Sequence, residues 1–182
     1  MDDFLVNYIS KKLTTVKPLI CNIVGFNTAW FGLVYWGNSF IPISFILLLI
    51  HLHFFSKYKK EWLLILVITF IGIIVDSLLM YFAVFIFADN SHLPFWLMML
   101  WVCFSATLCH SLRFLSDSTV LQLLVGGLFA PLSYIAGYKF QAVEFGYSLM
   151  PTYFILTIIW GVLFVIFFYL KDKIIKNEGC YA

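Results

Sequence analysis

Charge is scarce in this sequence. Asp, Glu, Lys and Arg supply 11% of the 182 residues, against 63% hydrophobic and 20% aromatic, and mean hydropathy is +1.00. Such a balance departs from soluble usage along the whole length. No polar stretch is long enough for a soluble domain, so binding or chemistry has to occur inside a membrane bundle or at its rims. Nothing supports nucleic acid as a partner; the partner the composition implies is the lipid bilayer.

Other absences narrow the chemistry. The four cysteines, Cys21, Cys103, Cys109 and Cys180, show no Cys-x-x-Cys spacing and no secreted disulfide pattern. Asp2 and Asp3 stand where a signal peptide would carry basic residues, so no cleavable leader is expected. A Gly-rich phosphate loop, a zinc-protease motif and a Gly-x-Ser-x-Gly elbow are all missing. His51-Leu52-His53 invites a metal reading, but residues two apart on a helix point about 200° apart, so the pair cannot share one ion. Neither a metal nor a cofactor is expected.

What the chain does have is long apolar runs. Six spans are predicted, at about 19 to 36, 40 to 56, 62 to 87, 94 to 114, 119 to 138 and 151 to 170, each near the length that about 30 Å of hydrocarbon demands. The first two are divided only by Trp36-Gly37-Asn38-Ser39, with Pro42 opening the second. Residues 1–17 read as an amphipathic interfacial helix, with Phe4, Leu5, Tyr8 and Ile9 on one side and Lys11, Thr14 and Lys17 on the other. The expectation is an all-α polytopic bundle forming a single membrane domain over 1–182: the interfacial helix, six transmembrane helices over 19–170, and a cytoplasmic tail from 171 to 182.

Lysine and arginine set the direction. With six spans and an inside N-terminus, Lys11, Lys12, Lys17, Lys57, Lys59, Lys60, Arg113, Lys171, Lys173 and Lys176 fall on one side, and only Lys139 on the other. Both termini are therefore expected in the cytoplasm of a bacterial cell, the protein being multi-pass in the inner membrane. Residues 139–150 are too apolar for a solvated loop and too short to span, which suggests an interfacial or re-entrant cap.

One acid is threaded into the hydrocarbon. Asp76 lies in the run from Trp62 to Phe87, and a carboxylate at the bilayer centre costs about 2.5 to 3.5 kcal/mol on insertion scales, so it should face a partner or cavity. Thr69, Gly72, Asp76 and Ala83 form a narrow small or polar stripe on its helix. Counting from a helix end at Phe87 sets Asp76 about 16 Å deep, near the midplane. At that depth the second span offers His51, the fourth Thr107, and the first the stretch from Asn22 to Asn27. His110 and Ser111 lie closer to the cytoplasm on the same face as Thr107, and Arg113 stands at the rim, where its planar fork suits a phosphate head group.

The candidate ligand-binding set is thus Asp76, His51, Thr107, His110, Ser111 and Asn22, with Arg113 for a head group and no catalytic residue assigned. The reading is a midplane polar site that binds or translocates a small polar solute, a proton or a lipid head group. Two alternatives stay open: a membrane-embedded lipid-modifying enzyme, and an accessory subunit of a membrane complex or a homo-oligomer. Whether the protein is an enzyme is left open with them.

Gly72-Ile73-Ile74-Val75-Asp76-Ser77, His110-Ser111-Leu112-Arg113-Phe114, and Gly126-Gly127 followed by Ala130-Pro131-Leu132-Ser133-Tyr134 and Ala136-Gly137 carry a likeness, joined by His51 and Trp30-Phe31. Over about residues 19 to 170 they resemble a family of small bacterial inner-membrane proteins, domain of unknown function 2878 (DUF2878). The resemblance implies an architecture and no catalytic assignment.

Overall fold

The structure, a computed structural model, describes residues 2–56, 58–88 and 92–175, with side chains from residue 18 onward. It is all-helical apart from one short strand pair. In order come α1 (Asp2–Trp36), a 3-10 turn (Gly37–Phe40), α2 (Ile41–Phe54), α3 (Glu61–Tyr81), β1 (Phe85–Ile86), α4 (Phe95–Ser105), a 3-10 turn (Arg113–Leu115), α5 (Thr119–Lys139), β2 (Glu144–Phe145) and α6 (Leu149–Ile175). Among the described residues, four stretches are long and apolar enough to cross a membrane: Pro18–Phe54, Glu61–Tyr81, Thr119–Lys139 and Leu149–Ile175. The helix Phe95–Ser105 is apolar but shorter.

The outside of the bundle is as oily as the inside. Phe70, Phe129 and Ile158 are each about two-thirds exposed, which water would not tolerate at this density but hydrocarbon does. Inter-helix contact therefore comes from close approach of small residues. Gly126 and Gly127 of α5 bring it against α6, where a Cβ on Gly126 would meet the Phe164 ring at 2.6 Å and the Trp160 carbonyl at 2.7 Å.

Neighbouring helices alternate in direction. The Gly37–Phe40 turn, entered through the positive φ of Gly37, reverses the chain so that Asn22 of α1 meets His51 of α2. At the opposite end Asn38 accepts from the Trp96 backbone N–H at 3.0 Å, tying that turn to the start of α4. The helix over residues 2–17 runs into the first span without a break at Pro18; the side chains that would define its amphipathic face lie outside the described residues.

Three predicted boundaries need correction. The third helix stops at Tyr81, not Phe87: Val84 N–H bonds Leu79 O at 2.8 Å and Ala83 N–H bonds Met80 O at 2.9 Å, with Ala83 at φ 54°. This is a Schellman end built on alanine where glycine is usual. The same closure ends α5, with Gln141 at φ 61° and Ala142 N–H on Gly137 O at 2.9 Å. Each end feeds one strand, and Phe85 pairs with Phe145 and Ile86 with Glu144 in antiparallel register. Residues 139–150 thus hold the end of α5, this pairing and the start of α6, clamped by Gly146 N–H on Val84 O at 3.2 Å.

The fourth helix stops at Ser105, well short of residue 114. Ser105 Oγ bonds Trp101 O at 2.5 Å and Thr107 Oγ1 bonds Phe104 O at 2.6 Å; hydroxyls that take main-chain carbonyls weaken the helix, and hydrogen-bonded turns follow to Leu115. The sixth helix instead continues to Ile175 and buries Lys171, whose ammonium bonds Ser116 Oγ, so the residues just past 170 belong to the bundle.

Candidate functional site

Two polar clusters flank an aromatic cavity, and a second, apolar cavity of about 480 Å³ opens beside Asn22 and His51. The first is built on Asp76, which is fully buried. One turn earlier on α3, Gly72 leaves room for the Trp101 ring, since a Cβ there would sit 2.1 Å from the indole. Trp101 thus reaches across and donates its Nε1–H to Asp76 Oδ2 at 2.6 Å, while the Tyr134 hydroxyl lies 3.0 and 3.1 Å from the two carboxyl oxygens. Trp101 stacks on Trp160 with centroids 5.0 Å apart, and Tyr134 stacks on Phe85 at 4.8 Å. A single carboxyl group therefore ties α3 to α4 and α5, and through the rings to α6 and β1.

The second cluster lies at the other end of α3. Glu61 Oε1 is 2.8 Å from His110 Nε2 and 3.5 Å from His51 Nε2, and its Oε2 accepts from the Ser56 hydroxyl at 2.7 Å. The two imidazoles meet edge to face with centroids 4.5 Å apart. Asn22 braces them: its Nδ2 donates to Ala106 O at 3.3 Å and faces His51 Nδ1 at 3.4 Å, while Ser111 N–H donates to its Oδ1 at 3.2 Å. With the amide so oriented, His51 Nδ1 accepts and Nε2 carries the proton toward Glu61. Between the clusters, Thr69 and Ser105 hydroxyls pair at 3.1 Å.

The sequence-based pairing of Asp76 with His51 does not occur. Because α3 ends at Tyr81, Asp76 lies only about 7.5 Å from that end, and the depth scale was wrong by about 9 Å. Asn22, His51, His110 and Ser111 do come together, at the opposite end. Thr107 is buried, with its hydroxyl used by its own turn, and Arg113 is exposed beyond His110. His53, two residues after His51, is exposed and packs on Phe54, as helical geometry requires.

Four side chains in these clusters lie outside the candidate ligand-binding set: Ser56, Glu61, Trp101 and Tyr134, the last named only in the family likeness. Glu61 directly precedes the apolar run predicted from residue 62, although an acid after Lys59-Lys60 that opens a helix is a visible signal. Trp101 carries none, being one more aromatic in an aromatic helix.

The aromatic cavity measures about 230 Å³ and lies between α1, α4, α5 and α6. Its wall is mostly aromatic: Phe26, Trp30, Trp101, Phe104, Phe129 and Trp160 among others, with Thr107, Ser111 and Ser133 as scattered hydroxyls. Trp30 Nε1–H donates to Ser133 Oγ at 2.7 Å, linking α1 and α5 across the mouth. Trp160 Nε1 is buried and makes no hydrogen bond of ordinary geometry among the described residues. Asp76 itself stays behind Trp101 and Tyr134, which face the space.

The sequence matches the family described as Protein of unknown function (DUF2878) over residues 19–166, most of the chain. The chain belongs to the DUF2878 family. No curated protein and no solved structure matches this DUF2878 chain. The matched segment contains both clusters and the cavity, and excludes the first 18 residues and the end of α6.

Proposed function

We propose that this protein crosses the bacterial inner membrane six times, with the Glu61 end of the bundle facing the cytoplasm, and admits one lipid chain from the bilayer into the aromatic cavity. The alternating helix directions and the gathering of Lys59, Lys60, Arg113, Lys171 and Lys173 at one end support the topology. Cysteines placed at Ser39 and Ser118 should react with impermeant reagents from opposite faces of the membrane. Labelling from the same face would remove the six-span arrangement.

The observation that carries the ligand is the chemistry of the wall. A small polar solute needs convergent polar groups, whereas this space is lined by rings and is half as large again as the roughly 150 Å³ apolar cavity that admits benzene. Asp76 has no room for a solute, since both oxygens are taken by wall residues. Its role is to hold Trp101 and Tyr134 in place. The ligand is therefore an acyl or prenyl chain.

A phospholipid bearing a photoreactive diazirine on its acyl chain tests this. Adducts are expected on the inward residues Phe104 and Trp160, and the bulk added by Ala130→Trp at the cavity wall should abolish them while outer-face labelling persists. Adducts confined to outward residues such as Phe70 and Ile158 would refute the reading.

A further inference from the structure

We infer that His51, Glu61 and His110 form a binding site for a divalent transition-metal cation, with zinc as the natural occupant. This goes beyond the lipid reading, and neither depends on the other. The three side chains come from the end of α2, the start of α3 and the turns after α4, so the fold gathers them from sequence positions with no motif spacing. One ligand atom from each lies within 4.8 Å of the other two. Zinc bonds of about 2.0 to 2.1 Å in a tetrahedron hold ligand atoms about 3.3 Å apart. The separations to Glu61 Oε1 are 2.8 and 3.5 Å, so each pair with the carboxylate needs to change by about 0.5 Å or less, while the two imidazole nitrogens, within 4.8 Å, draw together on the ion.

Two imidazoles and one carboxylate leave a fourth position for water or a ligand, and this donor set selects zinc or a neighbouring transition ion over magnesium or calcium. Of the outer contacts, one fits as it stands and the other fits after an amide turn. Ser56 occupies Glu61 Oε2, directing Oε1 alone toward an ion. Asn22 sits on the far nitrogen of His51, where metal-bound histidines keep a hydrogen-bond partner. Coordination through Nε2 moves the His51 proton to Nδ1, and the Asn22 amide must then turn its oxygen toward it, giving up its bonds to Ala106 O and Ser111 N–H. Asn22→Asp supplies that acceptor outright.

The test uses the full chain, purified in detergent and stripped with chelator, titrated with zinc against a chromophoric competitor and with cobalt for its visible spectrum. Wild type should bind one equivalent and give the intense cobalt absorption of a four-coordinate site. Glu61→Gln and His110→Ala should each weaken zinc at least 100-fold and lose that absorption, with His53→Ala unchanged. Asn22→Asp should bind several-fold tighter. Thermal unfolding of each metal-free variant, compared with metal-free wild type, identifies any that fail to fold, and Glu61→Gln preserves shape. Stoichiometric binding that survives both Glu61→Gln and His110→Ala, or a wild type that takes up no zinc, would overturn the assignment.

Discussion

Glu61 and Asp76 stand on one helix, about 22 Å apart along its axis, and the bundle holds them in different ways. Asp76 accepts from an indole and a phenol, both neutral and both locked by ring stacking. Glu61 accepts from two imidazoles and a hydroxyl, groups that can change tautomer, bind metal or turn. The lesson is that burial of an acid does not by itself mark a ligand site. Partners that cannot rearrange make a structural anchor, and partners that can make a binding site.

The sharpest way to break the Asp76 side of this contrast is Gly72→Ala. Its Cβ would fall 2.1 Å from the Trp101 ring, so the indole must leave both Asp76 and Trp160. Overpacking combined with the loss of one of the two donors to a buried carboxyl should cost about 3 to 5 kcal/mol, read as a large drop in thermal unfolding temperature in detergent. Asp76→Ala should cost less, about 2 to 4 kcal/mol, because it strands two donors without moving rings. Neither change should alter zinc affinity by more than twofold, whereas Glu61→Gln should abolish binding at little cost to metal-free stability.

Much of the architecture was legible, and the misses have identifiable causes. Hydrocarbon demands long apolar helices, so the helical membrane character and the four stretches long enough to cross were readable, and the Gly37-Asn38 break was visible because glycine permits the positive φ of that turn. The end of α3 was not visible, because alanine occupies the left-handed position and Val84 to Phe87 stay as apolar as a helix. That single misplaced boundary shifted the depth of Asp76 and paired it with His51. The end of α4 was hidden likewise, since serine and threonine in membrane helices usually continue them. His51, His110, Asn22 and Ser111 were readable as polar residues in oil, but Glu61, the acid that joins the two histidines, lay one residue outside the predicted span.

A second closure depends on Gly146. An added Cβ would lie 1.9 Å from Ala83 O, so Gly146→Ala should unpair β1 from β2 and release Phe85 from its stack on Tyr134, at about 1 to 3 kcal/mol. Hydrogen exchange should then rise at Val84–Ile86 and at Glu144–Gly146 while the amides around Glu61 stay protected. Equal loosening at both ends would mean that the clusters are coupled along α3.

The smallest effects discriminate most finely. Tyr134→Phe and Ser56→Ala each remove one hydroxyl donor from a carboxyl group: Asp76 is left with Trp101, Glu61 with two imidazoles. Interhelical hydrogen bonds in membranes average about 0.6 kcal/mol and reach about 1.7. Tyr134→Phe should approach the upper figure, because the phenol touches both oxygens of an acid with one other donor and the rigid stack on Phe85 prevents a neighbour from replacing it. Ser56→Ala should stay near the lower figure, since the imidazoles can shift toward the freed oxygen. If Ser56→Ala proved the costlier of the two in thermal unfolding, Glu61 would be the rigid anchor and Asp76 the adaptable group, and the roles assigned to the two ends of α3 would be exchanged.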